Sequence, residues 1–282
     1  MSLLEVTTVT GLSVLMGTVA TLCVCVERRQ LDRTADEFTV RFRSVFPYLG
    51  AAAAFLLLKQ ATHGYRLRLS RALNWNITDG LYALEGEFVA GLQHAVPPAA
   101  LDFFSATYML GFAFLLVTAP ILYFLSPSQR RLKELLVAYV VNYAVGSVFY
   151  TLFIAYGPRN HLPSVEGLLY QFYPASQTLT AAVSSNTNVF PSLHTSLAVA
   201  VALVAWRSRS EYPRWFAIAA FVAASVVLST MYLGIHWLTD VVAGLALGWG
   251  SVSVAVRLVG YAETSATARQ SRQVPIGTNG DD

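Results

Sequence analysis

The sequence predicts an all-α fold, a polytopic membrane helical bundle of six to seven transmembrane helices. Three observations predict it. Of the 282 residues, 55% are hydrophobic and only 12% are charged, about half the charged fraction of a soluble domain. Apolar stretches recur that are long enough to cross a bilayer, which takes roughly 20 helical residues. The basic residues gather in alternate connections, as they do in loops on one side of a membrane.

In chain order the spans are expected near 6–26, 45–60, 103–125, 135–155, 189–206, 214–235 and 237–259. The first has no preceding basic region and no small-residue cleavage site, so it reads as a retained helix rather than a signal peptide. Its Cys23 and Cys25 point to different helix faces and read as small apolar filler. The second span is the shortest, since only Val45 to Leu58 is cleanly apolar. Three units follow: N-terminal transmembrane helices over 1–60, a membrane core over 61–260, and a disordered cytoplasmic tail over 261–282, rich in Ser, Thr, Arg and Gly.

Between the second and third spans, Asn76-Ile77-Thr78-Asp79 offers helix-capping residues. Leu81, Leu84, Phe88, Leu92 and Val96 then recur at helical spacing, with Glu85 and Glu87 off the stripe. This predicts a helix near 79–97, lying along the membrane interface or packed over the bundle mouth, and Pro97-Pro98 ends it. In the last span, Gly244 and Gly248 are four apart and permit close helix packing, read as packing within the bundle.

Placing the first connection in the cytoplasm puts Arg28, Arg29, Arg33, Arg41, Arg43, Arg130, Arg131, Lys133, Arg207, Arg209, Arg214, Arg257, Arg269 and Arg272 on that side. The implied localisation is a multi-pass protein of the cell membrane with its N-terminus outside. The long connections 61–102 and 156–188 are then extracytoplasmic. Lys59, Arg66, Arg68 and Arg71 run against this distribution, and a re-entrant second span would invert only the first.

The chemistry lies in two short stretches, Pro191-Ser192-Leu193-His194 and His236-Trp237-Leu238-Thr239-Asp240. Each opens a predicted span, and the out-and-back hairpin between them returns both histidines to the same face. Ionisable groups in a bilayer protein are costly and mark function. His236 and Asp240, four apart, share one helix face. A carboxylate there accepts from one imidazole nitrogen and leaves the other for use as a nucleophile or base. Pro191 suits a first helical turn, leaving the N–H groups of Ser192, Leu193 and His194 as helix-start donors that favour an anion such as phosphate. Arg159 follows a span ending on the same face and is suited to a bidentate hold on phosphate.

With these residues the chain resembles the type 2 phosphatidic acid phosphatase superfamily, which includes the vanadium haloperoxidases. That family carries Pro-Ser-Gly-His, and Ser-Arg followed after five residues by His and after three more by Asp. Here these stand as Pro191-Ser192-Leu193-His194 and as Ser229-Thr230 with His236 and Asp240. Leu193 replaces the motif glycine and Thr230 the motif arginine. The family's first motif, lysine then Arg-Pro, has no counterpart beyond the reversed Pro158-Arg159. These departures resemble the inositol phosphorylceramide synthase-like branch. The resemblance covers roughly 79–255 and implies a phosphatidic acid phosphatase-like core.

The resemblance further implies an integral membrane phosphatase or phosphotransferase. His236 attacks phosphorus, Asp240 orients it, and His194 serves the leaving oxygen and then the acceptor. Arg159 and the backbone at Ser192 and Leu193 hold phosphate oxygens. No cofactor and no metal enter. The expected partners are the bilayer and a lipid phosphate or phosphodiester substrate, with no nucleic acid. Two other readings exist. One is a transporter using the His/Asp cluster as a proton relay, which asks for residues at mid-membrane on broken helices. The other is an iron oxygenase with a two-His, one-carboxylate site, although membrane enzymes of that kind usually carry more histidines than the five here.

Overall fold

A computed structural model describes residues 3–172 and 186–273, so the predicted Ser184-Ser185 stretch and the last residues of the tail lie outside the described residues. Helices α1 (Leu3–Cys25), α2 (Arg28–Asp36), α3 (Phe38–Ala61) and α4 (His63–Leu73) lead to a two-residue strand β1 (Trp75–Asn76). Next come α5 (Thr78–Glu85), α6 (Phe88–Ala95) and α7 (Leu101–Ala106), with a π-helical turn over Thr107–Gly111 joining α7 to α8 (Phe112–Leu125). Helix α9 (Arg130–Leu152) ends in β2 (Phe153–Ile154), and α10 (Leu168–Phe172) follows a loop. The chain closes with α11 (Leu193–Arg207), α12 (Pro213–Tyr232) and α13 (Leu238–Gln273).

The protein is an all-α, multi-pass bundle. Among the described residues, six helices are long and apolar enough to cross a membrane, and α11, with 15 residues, is a shorter apolar seventh. The core lies where α8, α9, α11 and α12 meet, with Leu115, Leu122, Leu135, Val201 and Trp215 fully buried. Lipid-facing positions such as Leu57 and Met16 stay exposed, as expected of a bundle whose solvent is hydrocarbon.

The second span begins earlier than its apolar run suggests. Arg41 sits a turn before Val45, and its Nη1 donates to the carbonyls of Phe124 and Ser126. The guanidinium thereby satisfies the frayed end of α8, and the helix starts at Phe38. At this same basic end Glu134 is fully buried and meets Arg130, Arg131 and Arg207 at 3.1, 2.7 and 3.4 Å. Three partners on one buried carboxylate offset its desolvation, which a single exposed arginine would not. His194, His236 and Asp240 lie at the opposite helix ends.

Two expectations differ in detail. The helix near 79–97 is two helices, because Gly86 turns the chain at φ 56 and ψ −130, a conformation that is essentially glycine-only. Leu81, Val89 and Ala90 then pack with Ala155, Val189 and Trp237 over the bundle mouth, while Leu84 and Phe88 stay exposed. The last helix continues to Gln273, so the segment expected as a tail from 261 begins inside it. Alanine, glutamate, arginine and glutamine recur there, and these are good helix formers.

Close backbone contacts set the register of the last helix. A Cβ on Gly244 would lie 2.6 Å from the Ser192 carbonyl oxygen, and one on Gly248 2.6 Å from that of Ser196. These glycines let α13 touch α11, the within-bundle packing expected of them. At the other rim, β1 pairs in parallel with β2, and Ala155 bridges Asn188. Three distant segments are thereby tied beside the starts of α11 and α13.

Candidate active site

Each functional side chain is placed by a helix end. Ser192 caps α11, its Oγ accepting from the Thr195 N–H at 3.3 Å, so His194 falls in the first turn. Before α13 the chain turns at Gly234, with φ 69. The N–H groups of Ile235 and His236 both donate to the Thr230 carbonyl at 3.0 Å. Asp240 is the fourth-residue partner: its Oδ2 lies 3.4 Å from His236 Nδ1 and accepts the Trp237 N–H at 2.8 Å. The aspartate is thus first a cap for α13 and second an orienting group for the imidazole.

The two imidazoles face one another with ring centroids 6.4 Å apart, within reach of one phosphoryl group. His194 is held by stacking on Tyr108 at 4.5 Å and by the Phe112 ring at 4.3 Å. Tyr108 sits on the π-helical turn, a distortion that often marks functional positions. Hydrophobic periodicity reads Tyr108 and Phe112 as core, so this clamp is not visible before the fold is known.

Arg159 occupies a one-turn 3-10 helix after β2. Its N–H donates to the Gly234 carbonyl at 3.1 Å, which ties it to the His236 loop. The guanidinium lies 4.4 Å above the Tyr170 ring, and its Nη2 reaches Tyr170 Oη at 3.3 Å. Its Nη1 is buried with no hydrogen-bond partner among the described residues. A buried charged donor in that state is costly unless an anion completes it.

The structure therefore brings His194, His236, Asp240 and Arg159 together, and it modifies the expectation for the backbone donors. The Ser192 N–H is taken by the Asp240 carbonyl at 3.1 Å, a bond that joins the two motif helices directly. The Leu193 side chain packs against Gly146, where a Cβ would meet it at 2.6 Å. Leucine at the motif's glycine position thus fills the gap beside α9. Thr230, at the motif's arginine position, is fully buried and donates to the Val227 carbonyl at 2.7 Å, so it brings no charge. His161 stands behind the site, 3.7 Å from Asp79 and 6.0 Å from the Trp237 ring. The indole Nε1 of Trp237 in turn donates to the Tyr156 carbonyl at 2.8 Å.

Glu85 is a further neighbour that the sequence placed off the apolar stripe. Its carboxylate oxygens are buried near the N–H groups of Leu238 and Thr239, at the start of α13, without closing a well-formed bond to either. Burial, with a smaller contribution from the charge of Asp240, pushes its pKa up to about 7.

Burial holds the His236 imidazole well below its ordinary range, and the Arg159 charge adds to that, while the nearby Val189 backbone opposes it. The neutral imidazole, the form a nucleophile needs, is therefore favoured at neutral pH. If His236 is the nucleophile, the acid limb of the rate profile falls below about 6.5, the unperturbed histidine value. Removing the neighbouring positive charge raises the His236 pKa. Arg159→Gln should therefore move that limb to higher pH as well as weakening substrate binding. A pH profile of kcat/KM for both proteins reads the shift, and a limb that stays in place would exclude the coupling.

Fold and site together define a polytopic membrane protein with a His/His/Asp/Arg centre at one rim of its bundle. The chain belongs to the PAP2 superfamily: the model of that family matches residues 81–254, more than half of the 282 residues, and spans every residue of the centre. The chain is similar to an uncharacterized protein of Methanocaldococcus jannaschii, 26% identical over 179 residues. That match covers 58% of this chain and 64% of the relative, so the chain spans less than two thirds of that curated relative's length. It is similar in fold to the crystal structure of Aquifex aeolicus LpxE, with a TM-score of 0.50 and 22% identity over 62% of this chain and 95% of that one. At that identity the likeness speaks for the fold alone.

Proposed function

We propose that the protein transfers the phosphoryl group of a membrane lipid ester through a phosphohistidine on His236. The observation that carries this is the convergence on one space of the His236–Asp240 pair, His194 and the Arg159 guanidinium, whose Nη1 has no partner among the described residues. A ring nitrogen of His236 attacks phosphorus while Asp240 stabilises the charge that develops on the imidazole. The bond to the leaving oxygen breaks, and His194 gives that oxygen its proton. In the second step His194 takes the proton of the acceptor hydroxyl, whose oxygen attacks phosphorus and frees His236. Arg159 neutralises the equatorial oxygens throughout.

The finer reading is an inositol phosphorylceramide synthase-like transferase acting on a phosphodiester. Its support is electrostatic. Thr230 supplies no charge where the motif carries arginine, and Arg159 is the cation that meets His236 among the described residues. One guanidinium matches the single charge of a diester better than the double charge of a monoester. The active site is assigned to the extracytoplasmic face, because the opposite end carries Arg41, Arg130, Arg131 and Arg207.

The test is turnover by purified protein of labelled lipid phosphomonoesters and phosphodiesters, with and without a lipid alcohol, beside His236→Ala. The expected result is His236-dependent transfer of headgroup phosphate to the lipid alcohol. Free phosphate release instead identifies a phosphatase and removes the transferase reading. No His236-dependent turnover of any lipid removes the catalytic reading.

A further inference from the structure

A groove of about 410 Å³ lies between α3, α4 and α9, on the rim that carries the catalytic centre. It is not part of that centre. On α9, Gly146 and Tyr150 face α11, the first against Leu193 and the second donating to the Pro191 carbonyl at 2.9 Å. Val148 and Leu152 line the groove instead, opposite Phe55 and Leu58 of α3. Val148 and Leu58 are more than half exposed, so the groove opens sideways toward the membrane.

Two cations close its polar end. Lys59 follows the apolar run from Val45 to Leu58 in its helix, and its Nζ lies 4.8 Å from the centroid of the Tyr143 ring. Arg66, one helix on, donates from Nη2 to the Lys59 carbonyl at 2.9 Å, while its Nε is buried without an acceptor. No carboxylate lines the groove. A lysine in the last turn of an apolar span, beside an arginine whose Nε is buried and with no acidic partner among the described residues, is costly unless an anion completes it. The apolar side chains that line the groove beside the cations, Phe55 and Leu58 among them, suit an acyl chain, and the volume is within the range of small-molecule sites.

We infer that this groove binds one anionic phospholipid, its phosphate between Lys59 and Arg66 and a chain along Phe55 and Leu58. The site is separate from the catalytic centre and does not rest on the catalytic reading. The absence of a carboxylate disfavours zwitterionic headgroups, which bring a cation of their own. Basic side chains at membrane surfaces attract anionic lipid strongly enough for two of them to matter at this scale.

The experiment is native mass spectrometry of the delipidated 282-residue chain, titrated with phosphatidylglycerol or with phosphatidylcholine of the same chains. One phosphatidylglycerol should be retained in preference to phosphatidylcholine. Lys59→Gln with Arg66→Gln should weaken that binding about 30-fold. Val148→Trp, which fills the groove from an exposed position and leaves both cations, should weaken it comparably. Equal retention of the two lipids overturns the proposal, as does phosphatidylglycerol binding unchanged in Val148→Trp. If the double variant does not fold, as judged by circular dichroism, Val148→Trp decides alone.

Discussion

His236→Ala should lower lipid-phosphate turnover by about a thousandfold or more, equivalent to about 4 kcal/mol of barrier. The size follows from the role. A residue that forms the covalent intermediate cannot be replaced by water without a new pathway, whereas one that orients it can be lost in part. Asp240→Asn should therefore cost less than His236→Ala. Its Oδ2 lies 3.4 Å from Nδ1 but 2.8 Å from the Trp237 N–H, and an asparagine oxygen can keep the second contact. What it loses is the charge that stabilises the imidazolium. The check is kcat/KM for each variant beside trapping of labelled phosphate on the protein under alkaline quench, where phosphohistidine survives. Label retained by His236→Ala would place the intermediate elsewhere and end the assignment.

Much of the fold was legible in the sequence because a bilayer imposes a simple rule. Backbone polar groups must be satisfied within each segment, so an apolar run of sufficient length is a helix. The seven expected spans correspond to α1, α3, α7–α8, α9, α11, α12 and α13 for that reason. The pair His236 and Asp240 was legible from its four-residue spacing, although the helix starts only at Leu238 and it is the turn before it that brings His236 to 3.4 Å from Asp240. Less visible were features that depend on contacts between distant segments. Tyr108 and Phe112 look like core until the π-helical turn aims them at His194. The Ser192 N–H looks like a free helix-start donor until the Asp240 carbonyl takes it. Gly86 lies within an unbroken apolar stripe, and only its backbone angles show that the stripe folds back over the mouth of the bundle.

Gly157→Ala should produce a large loss of activity from a single added methyl group. A Cβ there would lie 2.2 Å from the Ile235 carbonyl oxygen, a backbone atom that cannot rotate aside. The clash falls between two loops held together by specific bonds on either side. Just before it, the Tyr156 carbonyl accepts from Trp237 Nε1, and just after it, the Arg159 N–H donates to the Gly234 carbonyl. Relief requires the Arg159 turn and the His236 loop to separate by roughly 1 Å, about the distance to an ordinary contact. Misplacement of that order costs about a hundredfold in rate when reacting groups must stay aligned. The helices are packed elsewhere, through Gly244 and Gly248 and the core around Trp215, so the bundle should survive. The expected result is a protein that elutes and melts as a folded bundle, with kcat reduced about a hundredfold and the Arg159-dependent acid limb displaced toward that of Arg159→Gln. Wild-type kcat in Gly157→Ala would mean that the two loops are not rigidly coupled, and that Arg159 reaches the phosphoryl group without support from the His236 turn.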